Sequence, residues 1–174
     1  LGITGIQMDA ADAIYAGFAD CYIPKNEWPY IIESLEKSGD TSILHKYLKD
    51  PGESQLSKSA KFFEEAFESK NLSKIVKFFA KSENPLAHLA LQKIIKNCPI
   101  AMTYTLEMLS RLTPTSKIED ALDLEYRFTS RAQEYGSFQE GIRAVIIDKD
   151  RKPKWKFKID EVPKEIIDEF FKPV

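Results

Sequence analysis

The sequence lacks long apolar stretches: the longest unbroken runs, such as residues 144–147, have four residues. A membrane-spanning helix needs about 20 consecutive apolar residues, so we expect no transmembrane segment and no membrane partner. The first residues also lack a basic stretch that leads into an apolar one, and we therefore expect no secretory signal peptide.

Cysteine and surplus positive charge are scarce as well. The two cysteines, Cys21 and Cys98, are too few for a disulfide framework, which favours a reducing, intracellular setting such as the cytoplasm. The 25 Lys and Arg residues are balanced by 27 Asp and Glu residues, which gives a formal net charge of −2. Because a dedicated nucleic-acid-binding domain carries a strong basic excess, we expect no nucleic-acid partner.

Glycine is the third scarce residue, with only seven in 174, and this disfavours a glycine-rich α/β nucleotide fold. The chain is nevertheless 43% apolar, which is enough for a hydrophobic core. Lys, Glu, Leu and Ala, which favour helices, are abundant. Since apolar residues recur at helical spacing, we predict a mainly α fold of about nine helices with short connections.

Capping residues and prolines mark several helix starts. They are Asp9, Asn71, Asn84 with Pro85, and Pro99. Asp9 would cap a helix over 10–18, and a long helical segment is predicted over 117–135. Gly136-Ser137 is the last strong break before a helix at 138–147.

No catalytic motif is present: there is no phosphate-binding glycine loop, no G-x-S-x-G nucleophile turn and no paired-cysteine zinc spacing. The two histidines, His45 and His88, lie in different predicted helices without a carboxylate at a ligand spacing. We interpret both as surface imidazoles, and we predict neither a catalytic residue nor a metal site in the chain.

One carboxylate lies at a predicted helix position where an apolar residue would be expected. Glu125 falls on the same predicted apolar stripe as Ile118 and Leu122. A buried carboxylate is costly unless it is paired, and the candidate partners are Arg127 and Arg143. We predict a structural ion pair between Glu125 and Arg143 that joins two helices; the alternative is an orienting role for Glu125 beside a ligand site.

A basic, aromatic segment follows at 149–158, where six basic residues and one acidic residue accompany Trp155 and Phe157. Cations bind phosphate, and they also pair with aromatic rings, so the segment suits a phosphorylated aromatic ligand such as a nucleotide. The alternative is a solvated loop that Trp155 anchors in the core.

The beginning of the chain is apolar over more of the helix circumference than a surface helix needs. Its apolar residues include Met8, Ala11, Ile14, Tyr15 and Phe18. Because these residues require partners on several sides, we expect the chain to self-associate. The sequence also begins at Leu1 rather than Met, and we expect it to be a fragment of a longer protein.

Short motifs stand at both ends of the chain. Residues 1–5, 9–13 and 16–20 read LGITG, DAADA and AGFAD. Residues 125–127, 138–144, 147–150 and 153–155 read EYR, FQEGIRA, IDKD and PKW. The first set resembles the stretch that follows the crotonase core in the enoyl-CoA hydratase/isomerase superfamily. The second set is similar to the 3-hydroxyisobutyryl-CoA hydrolase branch, so the resemblance covers essentially the whole chain.

The resemblance implies the C-terminal helical region of a crotonase-type fold without its ββα core. Residues 1–24 would end the core with a helix and a short extended segment, and residues 25–174 would form the helical region. The family's glycine-rich oxyanion loops and catalytic acids lie on the core. We therefore expect this chain alone to be inactive, with the missing N-terminal core as its partner.

For the whole enzyme, the resemblance implies hydrolysis of an acyl-CoA thioester in valine-type catabolism, in the mitochondrial matrix if the source is a eukaryote. No cofactor is implied beyond the coenzyme A of the substrate. A basic residue after the F-x-EG helix contacts the CoA phosphates in the family, and the most similar positions here are Lys149 and Lys152. The alternatives are a hydratase or isomerase of the same superfamily and a non-enzymatic helical interaction module.

Overall fold

The computed structural model describes residues 1–135 and 137–174, and within these ranges the chain forms helices and no β-strand. The α-helices of the described residues are α1 Ala10–Tyr15, α2 Trp28–Ser38, α3 Gln55–Lys58, α4 Ala60–Glu68, α5 Leu72–Ala80, α6 Pro85–Ile94, α7 Pro99–Arg111, α8 Ile118–Arg131, α9 Ser137–Ile142 and α10 Lys164–Phe170. Lys25–Glu27 and Thr41–Lys46 are 3₁₀ helices, and Arg143–Ile147 is a π-helical turn. The mainly α prediction is confirmed. None of these helices combines the length and apolarity needed to cross a membrane.

The described chain divides into two compact units. The N-terminal unit is Gln7–Phe63, and the main unit is Leu1–Ile6 together with Glu64–Val174. The predicted boundary after Pro24 falls inside the N-terminal unit, so it does not separate these units. That residues 1–24 end a crotonase core stays a prediction.

In the N-terminal unit, a buried carboxylate joins two helices. Asp9 caps α1 as predicted, because its side chain accepts the N–H of Asp12 at 2.8 Å. Asp12 itself is buried and accepts hydrogen bonds from the Ser54 hydroxyl at 2.7 Å and the Leu56 N–H at 3.0 Å, which ties α1 to α3. The helix is shorter than the predicted 10–18 because Gly17 adopts a left-handed backbone with φ of 76°.

In the main unit, the predicted helix starts are confirmed. Asn71 and Asn84 each accept a backbone N–H of the following first turn through the side-chain oxygen, at 3.0 and 2.9 Å. Pro85 and Pro99 occupy the first turns of α6 and α7. Their fixed φ and missing N–H suit these positions, so residues next to each start favour a helix beginning there.

The last helices differ from the predicted lengths. Helix α8 ends before 135 because residues 132–135 form turns. Gly136, part of the predicted break, lies outside the described residues, and α9 begins at Ser137. The predicted helix at 138–147 is divided, because α9 ends at Ile142 and the chain continues as the π-helical turn.

The core of the main unit is aromatic where α7, α8 and α10 meet. The ring of Tyr104 lies 4.8, 5.7 and 4.4 Å from the rings of Phe128, Phe170 and Phe171, measured between centroids. The Tyr104 hydroxyl donates to the carbonyl oxygen of Leu124 at 2.7 Å. Phe170 is fully buried. We call Tyr104, Phe128, Phe170 and Phe171 the aromatic cluster.

Candidate functional site

A charged cluster is built around Arg143, the first residue of the π-helical turn. Its Nε donates to Glu140 Oε2 at 2.9 Å, and its Nη2 donates to Glu140 Oε1 at 2.8 Å. Its Nη1 donates to both Asp148 and Asp150, the latter at 2.9 Å. π-Helical turns occur frequently at functional sites, and this one places one guanidinium among three carboxylates. We call these four residues the Arg143 network.

The Arg143 network also holds the backbone of the loop that follows. Asp150 Oδ1 accepts the N–H of Lys152 at 2.8 Å, and Glu140 Oε1 accepts the N–H of Lys154 at 2.5 Å. Arg143 Nη2 donates to the Lys152 carbonyl oxygen at 3.1 Å. Because charge-assisted hydrogen bonds are about twice as strong as neutral ones, the side-chain cluster orders the loop.

Two basic residues of this loop have an unusual backbone. Lys149 and Arg151 lie in the left-handed region, with φ of 55° and 53°, a conformation that costs a non-glycine residue about 1 kcal/mol or more. The N–H of Arg151 donates to the Ala144 carbonyl oxygen at 2.9 Å and helps to hold this turn. Lys149 and Lys152, the predicted phosphate contacts, are both exposed.

Hydrogen bonding shifts the pKa values within the network. The hydrogen bond from Arg143, followed by the Lys154 N–H, lowers the pKa of Glu140 to about 2. The Lys152 N–H, followed by Arg143, lowers the pKa of Asp150. In turn, hydrogen bonds to Glu140 first, and then to Asp148 and Asp150, raise the pKa of Arg143. Arg143, Glu140 and Asp150 are therefore charged at neutral pH.

Trp155 fastens the far end of the loop. Its indole N–H donates to the carbonyl oxygen of Lys96 at 3.0 Å, and the side chain is half-buried. The ring also lies beside Gly141 of α9, where an added Cβ would make ordinary contact at 3.7 Å. Trp155 thus anchors the basic segment, while the exposed cations of that segment stay accessible.

The predicted ion pair between Glu125 and Arg143 is wrong. Arg143 is paired with the three carboxylates of its network, and Glu125 is exposed. The other candidate partner, Arg127, pairs within α8 with Asp123 at 2.6 Å. The physical reason is that the apolar stripe of Glu125 faces solvent, since Ile118 on the same stripe is 67% exposed.

A cavity of about 690 Å³ opens beside the basic loop, within the main unit. It is lined by Gly2, Ile3, Lys93, Lys96, Asn97, Cys98, Ala101, Met102, Thr105, Gly141, Ala144, Val145, Arg151, Pro153 and Trp155. Sequence reasoning identified the basic segment but missed Lys93 and Lys96, which come from the end of α6 and the turn after it. No local signal could have found them, because the fold brings them to a loop more than 50 residues further along the chain.

The two histidines have the surroundings expected of surface side chains. His45 and His88 are both exposed, and a ring nitrogen of His88 lies 2.6 Å from the carbonyl oxygen of Ser82. Over residues 1–135 and 137–174, no three His, Cys, Asp or Glu side chains are grouped in a way that could hold a metal ion.

Comparison with known protein families shows which family this chain is related to. The sequence profile described as enoyl-CoA hydratase/isomerase matches residues 1–171. The chain belongs to this family. The fold agrees: a solved enoyl-CoA hydratase from Rhodobacter sphaeroides superposes with a TM-score of 0.88 at 41% identity, over 100% of this chain and 50% of that one. A solved carnitinyl-CoA dehydratase from Mycobacterium thermoresistibile gives a TM-score of 0.89 at 28% identity, over 99% of this chain and 50% of that one.

Curated members of the family include proteins named 3-hydroxyisobutyryl-CoA hydrolase, mitochondrial. The one from Gallus gallus is 28% identical over 100% of this chain and 48% of its own length. The one from Homo sapiens is 28% identical over 99% of this chain and 47% of its own length. The chain therefore spans about half the length of the curated relatives it matches. The predicted resemblance to the C-terminal helical region of a crotonase fold is confirmed.

Proposed function

We propose that this chain is the C-terminal half of an acyl-CoA thioester hydrolase that acts on 3-hydroxyisobutyryl-CoA or a close analogue. The observation that carries the proposal is that the whole chain matches one half of relatives named for this hydrolysis. The enzyme would release CoA and a 3-hydroxy acid. Its oxyanion-binding N–H groups and catalytic acids would lie in the half of the relatives' length that this chain does not span.

The chain itself would contribute assembly and CoA contacts. Lys149 and Lys152 are exposed on a loop that the Arg143 network holds in place. An ordered loop loses less conformational entropy when it binds a ligand. We assign Lys149 and Lys152 to the CoA phosphates, and we expect the isolated chain to turn over no substrate.

A second candidate is hydration or isomerisation of a 2-enoyl-CoA. The solved enoyl-CoA hydratase from Rhodobacter sphaeroides is 41% identical to this chain, which is higher than the 28% identity of the named hydrolases. Since the residues that choose between adding water to a double bond and cleaving a thioester would lie outside this chain, identity within the helical region does not decide between them.

The test is a substrate comparison on the full-length protein that contains this chain. Release of free thiol from 3-hydroxyisobutyryl-CoA measures hydrolysis, and loss of the conjugated enoyl thioester absorbance measures hydration. We expect hydrolysis to dominate. Hydration without thiol release would assign the second candidate instead, and neither reaction would favour a non-enzymatic interaction module.

The contribution of Lys149 and Lys152 is tested in the same assay. We expect Lys149→Ala with Lys152→Ala to raise KM for the CoA thioester several-fold and to leave kcat within about twofold, because phosphate contacts remote from the thioester bind substrate and transition state alike. Lys158→Ala is the matched control, since Lys158 lies in the same segment but pairs with Glu161.

A further inference from the structure

Helix α10 has few local features that would keep it folded. It has seven residues, and a helix this short is unstable without contacts to the rest of a protein. Pro163 precedes it, and no side chain of the described residues forms a capping hydrogen bond at its start. Its last turn contains Asp168 and Glu169 and no basic residue, although cations are the charges that stabilise a helix C-terminus. Helix α10 therefore depends on contacts from other elements.

Two arginines of α8 supply the cations that the end of α10 lacks. Arg127 Nη1 donates to the carbonyl oxygen of Phe171, the residue that ends α10, at 2.7 Å. Arg131 Nη2 donates to the carbonyl oxygen of Pro173 at 2.8 Å. The last carbonyl groups of a helix have no partner within that helix, so a guanidinium from a neighbouring helix can cap them. Helix α8 thus caps α10 from outside.

Helix α7 holds the same segment through its rings and a third arginine. The ring of Phe171 stacks on that of Tyr104, with centroids 4.4 Å apart and 19° between the planes. The Arg111 guanidinium carbon lies 3.5 Å from the centre of the Phe171 ring, a cation–π contact. Glu107 accepts hydrogen bonds from Arg111 Nε and Nη2 at 3.1 and 3.0 Å and so orients it. Phe171 is therefore held by α7 and α8 together.

Arg127 belongs to the EYR motif of residues 125–127, and the proposed function uses none of these three residues. Glu125 and Tyr126 are exposed, whereas the Arg127 side chain is only 24% exposed. Besides Phe171, Arg127 pairs with Asp123 at 2.6 Å, and its Nε is buried with no hydrogen-bond partner among the described residues. Because a buried unpaired N–H is unfavourable, the two contacts of Arg127 must offset that cost.

We propose that residues 164–174 form a strap that opens as one unit while the rest of the main unit stays folded, and that Arg127 and Arg131 hold it closed. We call this segment the α10 strap. It packs against α7 and α8, so its opening leaves the packing of α5 on α6 in place. Opening uncovers the rings of Tyr104 and Phe128. The proposal goes beyond the proposed function and does not depend on which reaction the parent enzyme catalyses.

Amide hydrogen exchange of the full-length protein, followed by mass spectrometry, tests which contacts close the strap. Arg127→Met should speed exchange in α10 about tenfold, the scale of one charge-assisted hydrogen bond. Arg131→Met should act in the same direction but less, because its bond to Pro173 is exposed. Asp123→Asn is the matched control, since it removes the ion pair of Arg127 but keeps the bond to Phe171; we expect a change below twofold.

A variant far from the strap tests whether α10 opens separately. Ile75 of α5 is fully buried, and Ile75→Val should speed exchange in α5 several-fold by weakening its packing. Because opening of the strap does not disturb α5, we expect the exchange rate in α10 to stay within twofold of wild type in this variant. In the wild type, α10 should also exchange faster than α5.

The outcomes are distinct. Faster exchange in α10 for Arg127→Met, with no change for Ile75→Val, supports the strap. Equal acceleration of α5 and α10 by Ile75→Val would show that α10 opens only when the main unit unfolds, and would overturn it. Unchanged exchange in α10 for both arginine variants, or an Asp123→Asn effect as large as that of Arg127→Met, would overturn the role of the arginines. If Arg127→Met loses its far-ultraviolet circular dichroism, Arg131→Met decides.

The proposed function is judged separately, by thiol release from 3-hydroxyisobutyryl-CoA with the wild-type protein. Absence of that activity leaves the exchange results on the α10 strap standing. Conversely, thioester hydrolysis by a protein in which α10 opens only with the whole unit overturns the strap and leaves the hydrolase function standing.

Discussion

Two regions of the main unit are ordered by opposite kinds of interaction. The aromatic cluster is held by rings packed within 6 Å of Tyr104, among them the fully buried Phe170. The loop over 148–154 is held by the guanidinium of Arg143 and three carboxylates, of which Asp148 and Asp150 are exposed and Glu140 is half-buried. Burial of apolar area supplies most folding free energy, whereas exposed ion pairs supply little. We therefore assign the stability of the main unit to the aromatic cluster, and the local geometry of the loop to the Arg143 network.

The largest expected effect is on the aromatic cluster. Phe170→Ala should lower the free energy of unfolding by about 3–5 kcal/mol, because it removes a fully buried ring that packs on Tyr104, Phe128 and Tyr135. Urea denaturation followed by circular dichroism measures it. Phe138→Ala, at a side chain that is 58% exposed, should change the same quantity by less than about 0.5 kcal/mol. Equal losses would contradict the assignment of stability to this cluster.

A smaller effect is expected from the polar atom of the same cluster. Tyr104→Phe removes the hydroxyl that donates to the Leu124 carbonyl oxygen at 2.7 Å and should cost about 1 kcal/mol. Urea denaturation gives the value, and Tyr126→Phe, at an exposed tyrosine of α8, is the control. A loss for Tyr104→Phe as large as that for Phe170→Ala would show that hydrogen bonding, not packing, dominates this core.

The Arg143 network should affect local order far more than global stability. Arg143→Met should speed amide hydrogen exchange at Lys152 and Lys154 several-fold, since both N–H groups donate to carboxylates that Arg143 holds. Arg143→Lys should be intermediate, because lysine keeps the charge but loses the forked geometry. Lys158→Met is the matched control. If Arg143→Met unfolds the whole main unit, or leaves the Lys152 and Lys154 amides protected, the network does not act on local geometry as assigned.

Features of these regions could be predicted from the sequence when the residues that determine them are neighbours along the chain. The starts of α5, α6 and α7 depend on residues next to each helix, such as Asn71 and Pro99, and were predictable. The surroundings of Glu125 could not be predicted, because helical periodicity shows which residues share a face of a helix but not which face is buried. Leu124 and Phe128 are the residues of α8 that pack against the aromatic core, whereas Ile118 faces solvent.

The candidate site was predictable only in part, for the same reason. The basic segment was visible because its residues are adjacent, but Lys93 and Lys96 reach the cavity through the tertiary fold. The residues of the Arg143 network lie within the FQEGIRA and IDKD motifs, which carry part of the resemblance to the family. Its hydrogen bonds nevertheless depend on the π-helical turn, which interrupts the regular helical spacing used to read the sequence.

The smallest expected effect concerns pH. The pKa of Glu140 is lowered from 4.5 to about 2 in the folded chain, so its contribution is complete above pH 4.5 and is lost as pH falls toward 2. We expect amide protection at Lys154 to hold at pH 5 and to weaken toward pH 2. Glu140→Gln should weaken this protection already at neutral pH and remove its pH dependence, which nuclear magnetic resonance can follow. Loss of protection at Lys154 centred near pH 4.5 or above would show that the Glu140 pKa is not lowered.

The most direct test of the account is hydrogen exchange across the full-length protein with and without CoA. We expect CoA to slow exchange in the loop over 148–155 and in the turn at 95–97, the two segments that meet where Trp155 binds the Lys96 carbonyl oxygen. Adenosine 3′,5′-bisphosphate should protect the same segments, and pantetheine should not. Turnover of an acyl-CoA with no change in exchange at either segment would show that this part of the chain does not bind CoA, and would contradict the account.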